Sequence, residues 1–155
     1  DLSRFSQRRF AQAQAHKIII GGMNKILECV YDEGEYIAGV STTVAFEREN
    51  MNLKYILALL NSTLVSFWYR IYFRSLALAG GYLRIGSNDI KAIPIPEATS
   101  EQQAPIIEFV DRILGLKRSN PDADTTALET EIDRVVYSLY DLTREEIEIV
   151  ERAVE

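Results

Sequence analysis

The sequence predicts an α+β fold: a small, mostly antiparallel sheet packed with helices, followed by a C-terminal helical bundle or tail. Three observations point there. Short β-branched runs, separated by glycines and an acidic turn, occupy the chain up to Phe46. Apolar residues then recur at i, i+3, i+4 and i+7 from Leu53 to about Arg74. From Ser100 onward helical spacing continues to the end, with helix-start signals at its breaks. The 155 residues, 47% hydrophobic and 26% charged, suffice for a buried core that needs no disulfide or metal staple.

Taken in order, Arg4 to Gln14 sets Arg4, Arg8 and Arg9 beside Phe5 and Phe10 and reads as a loop or short helix. Lys17-Ile18-Ile19-Ile20 is a strand stopped by Gly21-Gly22. Ile26 to Tyr31 and Tyr36 to Phe46 are two further strand-like runs. Asp32-Glu33-Gly34-Glu35 between them reads as a turn, so these two runs are expected to pair antiparallel. Leu53, Ile56, Leu57 and Leu60 start a helix with Asn52 as N-cap; Leu64, Phe67, Trp68 and Ile71 repeat the spacing after Ser62. Two helices, or one bent helix, follow from this. Gly80-Gly81 ends the pattern, and Tyr82 to Ile85 reads as a short strand. Ser87-Asn88-Asp89 begins a single helical turn ending near Ala92, and Pro94 and Pro96 enforce an extended exit.

In the last third, Ser100 with Gln103 reads as a capping box ahead of Ile106, Phe109, Val110, Ile113 and Leu114. Ser119 to Asp122 is a loop. Leu128, Ile132, Val135, Val136 and Leu139 form the next stripe, and Thr143 with Glu146 is a second capping box. The expected organisation is a mixed α/β domain over residues 1–100 and a helical subdomain over 101–155, the two forming one compact unit. The start at Asp1, without methionine, is what a fragment of something longer would show.

The chemistry in this chain is sparse. Cys29 has no cysteine partner and reads as a small apolar strand residue. A single histidine, His16, excludes a His-rich metal site, and no metal site is expected. Glu145-Glu146 and Glu129/Asp133 are carboxylate pairs on helices, read as solvated. No Gly-x-Gly-x-x-Gly follows a strand, there is no phosphate-binding loop, and no Pro-Pro pair occurs. The lack of a long uncharged apolar run argues against a membrane and for a cytoplasmic protein.

Charge is uneven. The first 100 residues carry 11 Lys+Arg against 9 Asp+Glu, and the remainder 6 against 14, so the acid behind the net −6 lies in the tail. The front part is mildly basic, which leaves room for a nucleic-acid partner there.

Several motifs come in a fixed order: Lys17-Ile18-Ile19, Asp32-Glu33-Gly34, Leu60-Asn61-Ser62, and the aromatic helix Phe67 to Phe73. Gly80-Gly81-Tyr82-Leu83-Arg84 and Pro94-Ile95-Pro96 follow. The tail adds Glu131-Ile132-Asp133, Val136-Tyr137, Leu139-Tyr140, Leu142-Thr143 and Glu145-Glu146-Ile147. This series resembles the C-terminal target-recognition, or specificity, domain of type IIG restriction-modification enzymes and adenine-specific DNA methyltransferases. A proline usual before the opening strand is replaced by His16. The resemblance implies a non-catalytic module that positions double-stranded DNA for a methyltransferase domain of the same polypeptide. That parent would use S-adenosylmethionine, with endonuclease activity in some relatives; no cofactor is expected in this chain.

Base edges are read by paired donors and acceptors, and phosphates are held by cations and amides. The residues that supply such groups near turns are Lys25, Arg84 and Lys91 first, then the pair Arg8 and Arg9, with Lys17, Asn24 and Asn88 beside them. Asn61 and Ser62 read as helix punctuation, Phe67, Trp68, Ile71 and Phe73 as core, and Arg70 and Arg74 as snorkelling past Trp68 and Tyr72. A competing reading is a protein-interaction domain whose acidic helices dock on a partner. It requires an exposed apolar stripe on the tail.

Overall fold

A computed structural model describes residues 7–49 and 51–154 of the chain; Arg4, Phe5 and the Arg8 side chain lie outside the described residues. Helix α1 (Gln7–Gln14) leads into strand β1 (Lys17–Gly21), the most continuous β-branched run, which takes the centre of the main sheet. β3 (Cys29–Asp32) and β4 (Thr42–Phe46) flank it, both antiparallel to it, in the order β3-β1-β4. Lys17 stands opposite Asp32 on one side and Phe46 on the other, and Gly21 opposite Thr42.

The pairing expected between the second and third runs is therefore not formed; each pairs with β1 instead. The acidic quartet is not a hairpin turn. The Asp32 carboxylate accepts from the backbone N–H groups of Glu35 (3.0 Å) and Tyr36 (3.3 Å), which folds the chain over the Lys17 end of the sheet. Gly34 makes this possible: its φ is +96°, and a Cβ there would stand 2.3 Å from the Gln14 carbonyl oxygen. Residues 36–41 then run the length of β1 before entering β4. This leaves Tyr36, Ile37 and Val40 exposed, so the third run is shorter than its sequence suggests.

Ile18 and Ile20 point to the core face, fully buried, and meet helix α2 (Leu53–Asn61). Asn52 caps α2 as expected, accepting from Lys54 N at 2.8 Å. One residue, Ser62, separates α2 from α3 (Thr63–Tyr72). Its hydroxyl accepts from Val65 N and donates to the Leu59 carbonyl, closing one helix while opening the next. Asn61 has a different task. Its amide accepts from Cys29 N and donates to the Cys29 carbonyl, both at 2.9 Å, and so satisfies the outer edge of β3 as a neighbouring strand would.

The tail is built into the same core. α5 (Ser100–Ser119) packs on α2, α6 (Thr126–Leu139) on α5 and α3, and α7 (Arg144–Val154) on α3. Ile106, Val110, Ile132 and Val136 are buried in one continuous cluster with Ile18, Leu59 and Tyr69. The first capping box sits one residue earlier than expected: Thr99 N donates to Gln102 Oε1 at 2.8 Å. Gln103 is unavailable because it is buried, donating to the Ala98 carbonyl. The Thr143–Glu146 box forms as expected. Asp133, expected to be solvated, instead accepts from Thr63 at the start of α3. Among the described residues no helix is long and apolar enough to cross a membrane.

Candidate nucleic-acid interface

A second, two-stranded sheet carries the cluster of interest. β2 (Met23–Asn24) pairs antiparallel with β5 (Leu83–Arg84), Met23 opposite Arg84 and Asn24 opposite Leu83. Ile85 N donates to the Gly22 carbonyl at 2.9 Å, which extends the ladder by one pair. The 310 turns at Arg74–Leu76 and Ala79–Gly81 deliver the chain to β5. Gly80 and Gly81 both have φ of +79°, and Leu78 N donates to the Tyr82 carbonyl at 2.8 Å, so the glycine pair is a backbone turn before the strand.

Alternation along the ribbon sorts the side chains. Leu83 and Ile85 are 3% and 6% exposed and anchor the ribbon to the core. Burial of each contributes about 1.5–3 kcal/mol. The residues between them face water: Tyr82 and Arg84 from one strand, Met23 and Lys25 from the other. In register Lys25 falls opposite Tyr82, and its ammonium lies 5.3 Å from the centre of that ring, a cation–π contact.

Helix α4 (Ser87–Lys91) follows at once, its start fixed by the Asp89 carboxylate, which accepts from Gly86 N at 2.7 Å. Ser87, Asn88 and Lys91 are exposed on it. Nearby, Gly22 runs so close under Ser41 that a Cβ would stand 2.1 Å from the Ser41 carbonyl oxygen.

The structure thus brings Lys25 and Arg84 together and sets Asn88 and Lys91 on the next element. It separates the others. Lys17 does not reach solvent: it is 1% exposed, forms an ion pair with Asp32, and donates to the Ala13 (2.7 Å) and Ala15 (3.3 Å) carbonyls. It ties α1 to the sheet and is removed as a DNA contact. Asn24 is opposite Leu83, so the one-residue shift from Lys25 turns it off the solvent face. It is half-buried, and with its nitrogen oriented to donate it reaches the Met23 carbonyl at 2.6 Å and Glu28 Oε2 at 3.3 Å. Arg9, on α1, is exposed at the Lys17 end of β1 and borders a cleft of about 490 Å³ with Phe10, Ile37, Val40 and Phe46. The two ends of β1 are roughly 13 Å apart at its usual rise per residue.

The ion pairs divide the cations in a way the sequence did not reveal. Lys17, Lys54, Arg118, Arg134, Arg144 and Arg152 are each matched to a carboxylate. Lys25, Arg84 and Lys91 have no salt bridge among the described residues; neither do Arg48, Arg112 and Lys117, nor Arg70 and Arg74. Those two line a cleft with Gly81 and Leu83, and Arg70 donates to the Ala153 carbonyl at 3.0 Å. Tyr82 and Met23 were missed as members of this face. The signal for them lay in the alternation Tyr82-Leu83-Arg84-Ile85, which becomes informative only once the partner strand is known.

Catalytic chemistry is weakly supplied. Burial pushes the Cys29 thiol up to about 12, away from the reactive thiolate. Burial also raises Asp133, against the pull of its hydrogen bonds from Thr63. Among the described residues no group of His, Cys, Asp and Glu could hold a metal ion.

No curated protein matches the chain. A family model, the TaqI-like C-terminal specificity domain, matches residues 3–95, a span that takes in α1, both sheets, α2, α3 and α4. Since that match covers more than half of the 155 residues, the chain belongs to the family of TaqI-like C-terminal specificity domains of restriction-modification enzymes.

Proposed function

We propose that this chain is the DNA-reading module of a type IIG-like restriction-modification enzyme or adenine DNA methyltransferase, and that the ribbon face is its contact surface. The observation that carries the reading is the juxtaposition of Lys25 and Arg84 on the water-facing side of the ribbon, with Lys91 on the next element. None of the three has a carboxylate partner among the described residues; Arg48, Arg70, Arg74, Arg112 and Lys117 also lack one, but they lie outside the ribbon and α4. Adjacent exposed cations are what a polyanion needs, and Asn88, exposed on α4, adds a side chain able to pair with a base edge. Arg9, and Arg8 beside it in sequence, would extend the contact along the duplex from the other end of β1.

The chemistry of methyl transfer, with S-adenosylmethionine, belongs in this reading to a catalytic domain of the same cytoplasmic polypeptide. That domain supplies the other wall of the DNA cleft. The tail-docking alternative has little to build on. Among the described tail residues only Leu116 and Ile149 are large, apolar and exposed, because the apolar stripes of α5, α6 and α7 are used up against α2 and α3.

The test is a fluorescence-anisotropy titration of a labelled duplex pool across a salt series. With a handful of phosphates neutralised, log Kobs should fall linearly with log[salt] at about −0.9 per phosphate. The double reversal K25E/R84E should abolish binding at low salt. Equal binding by wild type and the double variant would overturn the proposal.

A further inference from the structure

We infer that Arg84 is the base-reading side chain of this face, taking O6 and N7 of a guanine in the major groove, while Lys25 and Lys91 hold phosphates. The inference rests on the DNA-reading function proposed above and divides the labour within it.

Three features of Arg84 support this assignment. Its chemistry comes first. A guanidinium is a planar fork whose paired N–H groups match the two acceptors of guanine, whereas an ammonium is a rotatable point charge suited to phosphate. Arg84 is the one arginine on the solvent face of the ribbon; Lys25 and Lys91 are lysines. Its mounting comes second. Base readout needs a side chain held to within a fraction of an ångström, which strands provide better than loops. Arg84 lies between two buried anchors, Leu83 and Ile85, and is locked by pairing to Met23 and by the Ile85–Gly22 hydrogen bond. That hydrogen bond belongs to the Gly22–Ile85 pair, so Met23–Arg84 is the closer, non-hydrogen-bonded kind of pair. The Met23 side chain emerges on the same face directly opposite. Availability comes third. Among the described residues no carboxylate, carbonyl or ring takes the Arg84 guanidinium, whereas Lys25 rests on the Tyr82 ring. The ribbon also fits: two strands about 4.8 Å apart enter a groove about 12 Å wide.

The experiment is selection of duplexes from a pool with a randomised core by the 155-residue chain at low salt, read by sequencing the bound fraction, with salt slopes measured alongside. The chains compared are wild type, R84K, R84Q, K25Q and K91Q. R84K and R84Q should lose preference for G·C at one position by roughly 5- to 150-fold, with the remaining positions intact. R84K, which keeps the charge, should leave the salt slope unchanged. K25Q and K91Q should weaken all sequences alike and reduce the slope by about 1 each. If R84Q and R84K weaken every sequence evenly and the preferred sequence survives, Arg84 is a phosphate contact; the inference fails and the DNA-reading function stands. If the wild-type chain enriches no sequence, both fall.

Discussion

The Asp133 carboxylate accepts from both the backbone N–H and the hydroxyl of Thr63, at 2.9 and 2.6 Å, across 70 residues of chain. Thr63 is the first residue of α3, so a side chain of the acidic tail satisfies a helix-terminal donor inside the family-matched region. Asp133→Ala should lower stability by about 1–2 kcal/mol. Asp133→Asn keeps an acceptor and removes a charge that burial disfavours, so it should cost less. Urea unfolding followed by circular dichroism separates the two; equal losses would show that the charge, not the acceptor, does the work.

The Lys17–Asp32 pair gives a pH prediction. Burial pushes the Asp32 carboxyl up, but the Lys17 hydrogen bond, the Glu35 amide, the Lys17 charge and the Tyr36 amide together outweigh it. The net shift is below the ordinary value of 3.8. A depressed folded pKa means the unfolded chain binds the proton more readily. The contribution is therefore fully present above 3.8 and is lost as pH falls through the lower folded value. Asp32→Asn should cost about 3–5 kcal/mol, because it leaves the Lys17 ammonium buried without a counter-charge. Lys17→Met with Asp32→Asn should recover most of that loss in a denaturant titration.

Cutting the chain after Ala98 should abolish cooperative unfolding. The Tyr140 hydroxyl donates to the Pro94 carbonyl at 2.7 Å, and that of Tyr55 to the Pro96 carbonyl at 3.3 Å, so the Pro-Ile-Pro strap is clasped from α6 as well as α2. Removing α5, α6 and α7 would strip one whole side from α2 and α3 and expose Val65, Tyr69 and Leu59. A broad, non-cooperative thermal transition and dye binding are expected for residues 1–98. A sharp transition would mean that the matched region folds alone.

Gly22→Ala should cost about 1–3 kcal/mol, since the new methyl meets the Ser41 carbonyl oxygen, a backbone atom, and one of the two segments must move. Gly39, where a Cβ meets nothing within 4 Å, is the control and should tolerate alanine. Thermal melts of both variants would check this, and any loss of DNA binding should follow Gly22 alone.

The helices were legible because their stripes need only local spacing: Leu53 to Leu60 and Ile132 to Val136 land on one face whatever lies opposite. Asn52 could be read as a cap for the same reason. Sheet order was not legible, because β pairing depends on contacts distant in sequence. Nothing in Tyr36 to Phe46 signals that its first half crosses the sheet unpaired. The candidate site was half legible for a related reason. Lys25 and Asn24 are neighbours near the same turn, and it takes a register set by Leu83 to turn one to solvent and the other away. Lys17 opens a strand, as a surface lysine would, and only the position of Asp32 directly across from it shows that it is buried.

The outward residues of the ribbon, Met23, Lys25, Tyr82 and Arg84, are carried by a two-stranded piece that shares no ladder with the main sheet. Among the described residues their side chains make no hydrogen bond or ion pair on which the core relies. On the proposed reading, Arg84 can be exchanged to shift sequence preference and its three neighbours to tune affinity, with little loss of folding stability to restrain either change. Laboratory retargeting would start from Arg84.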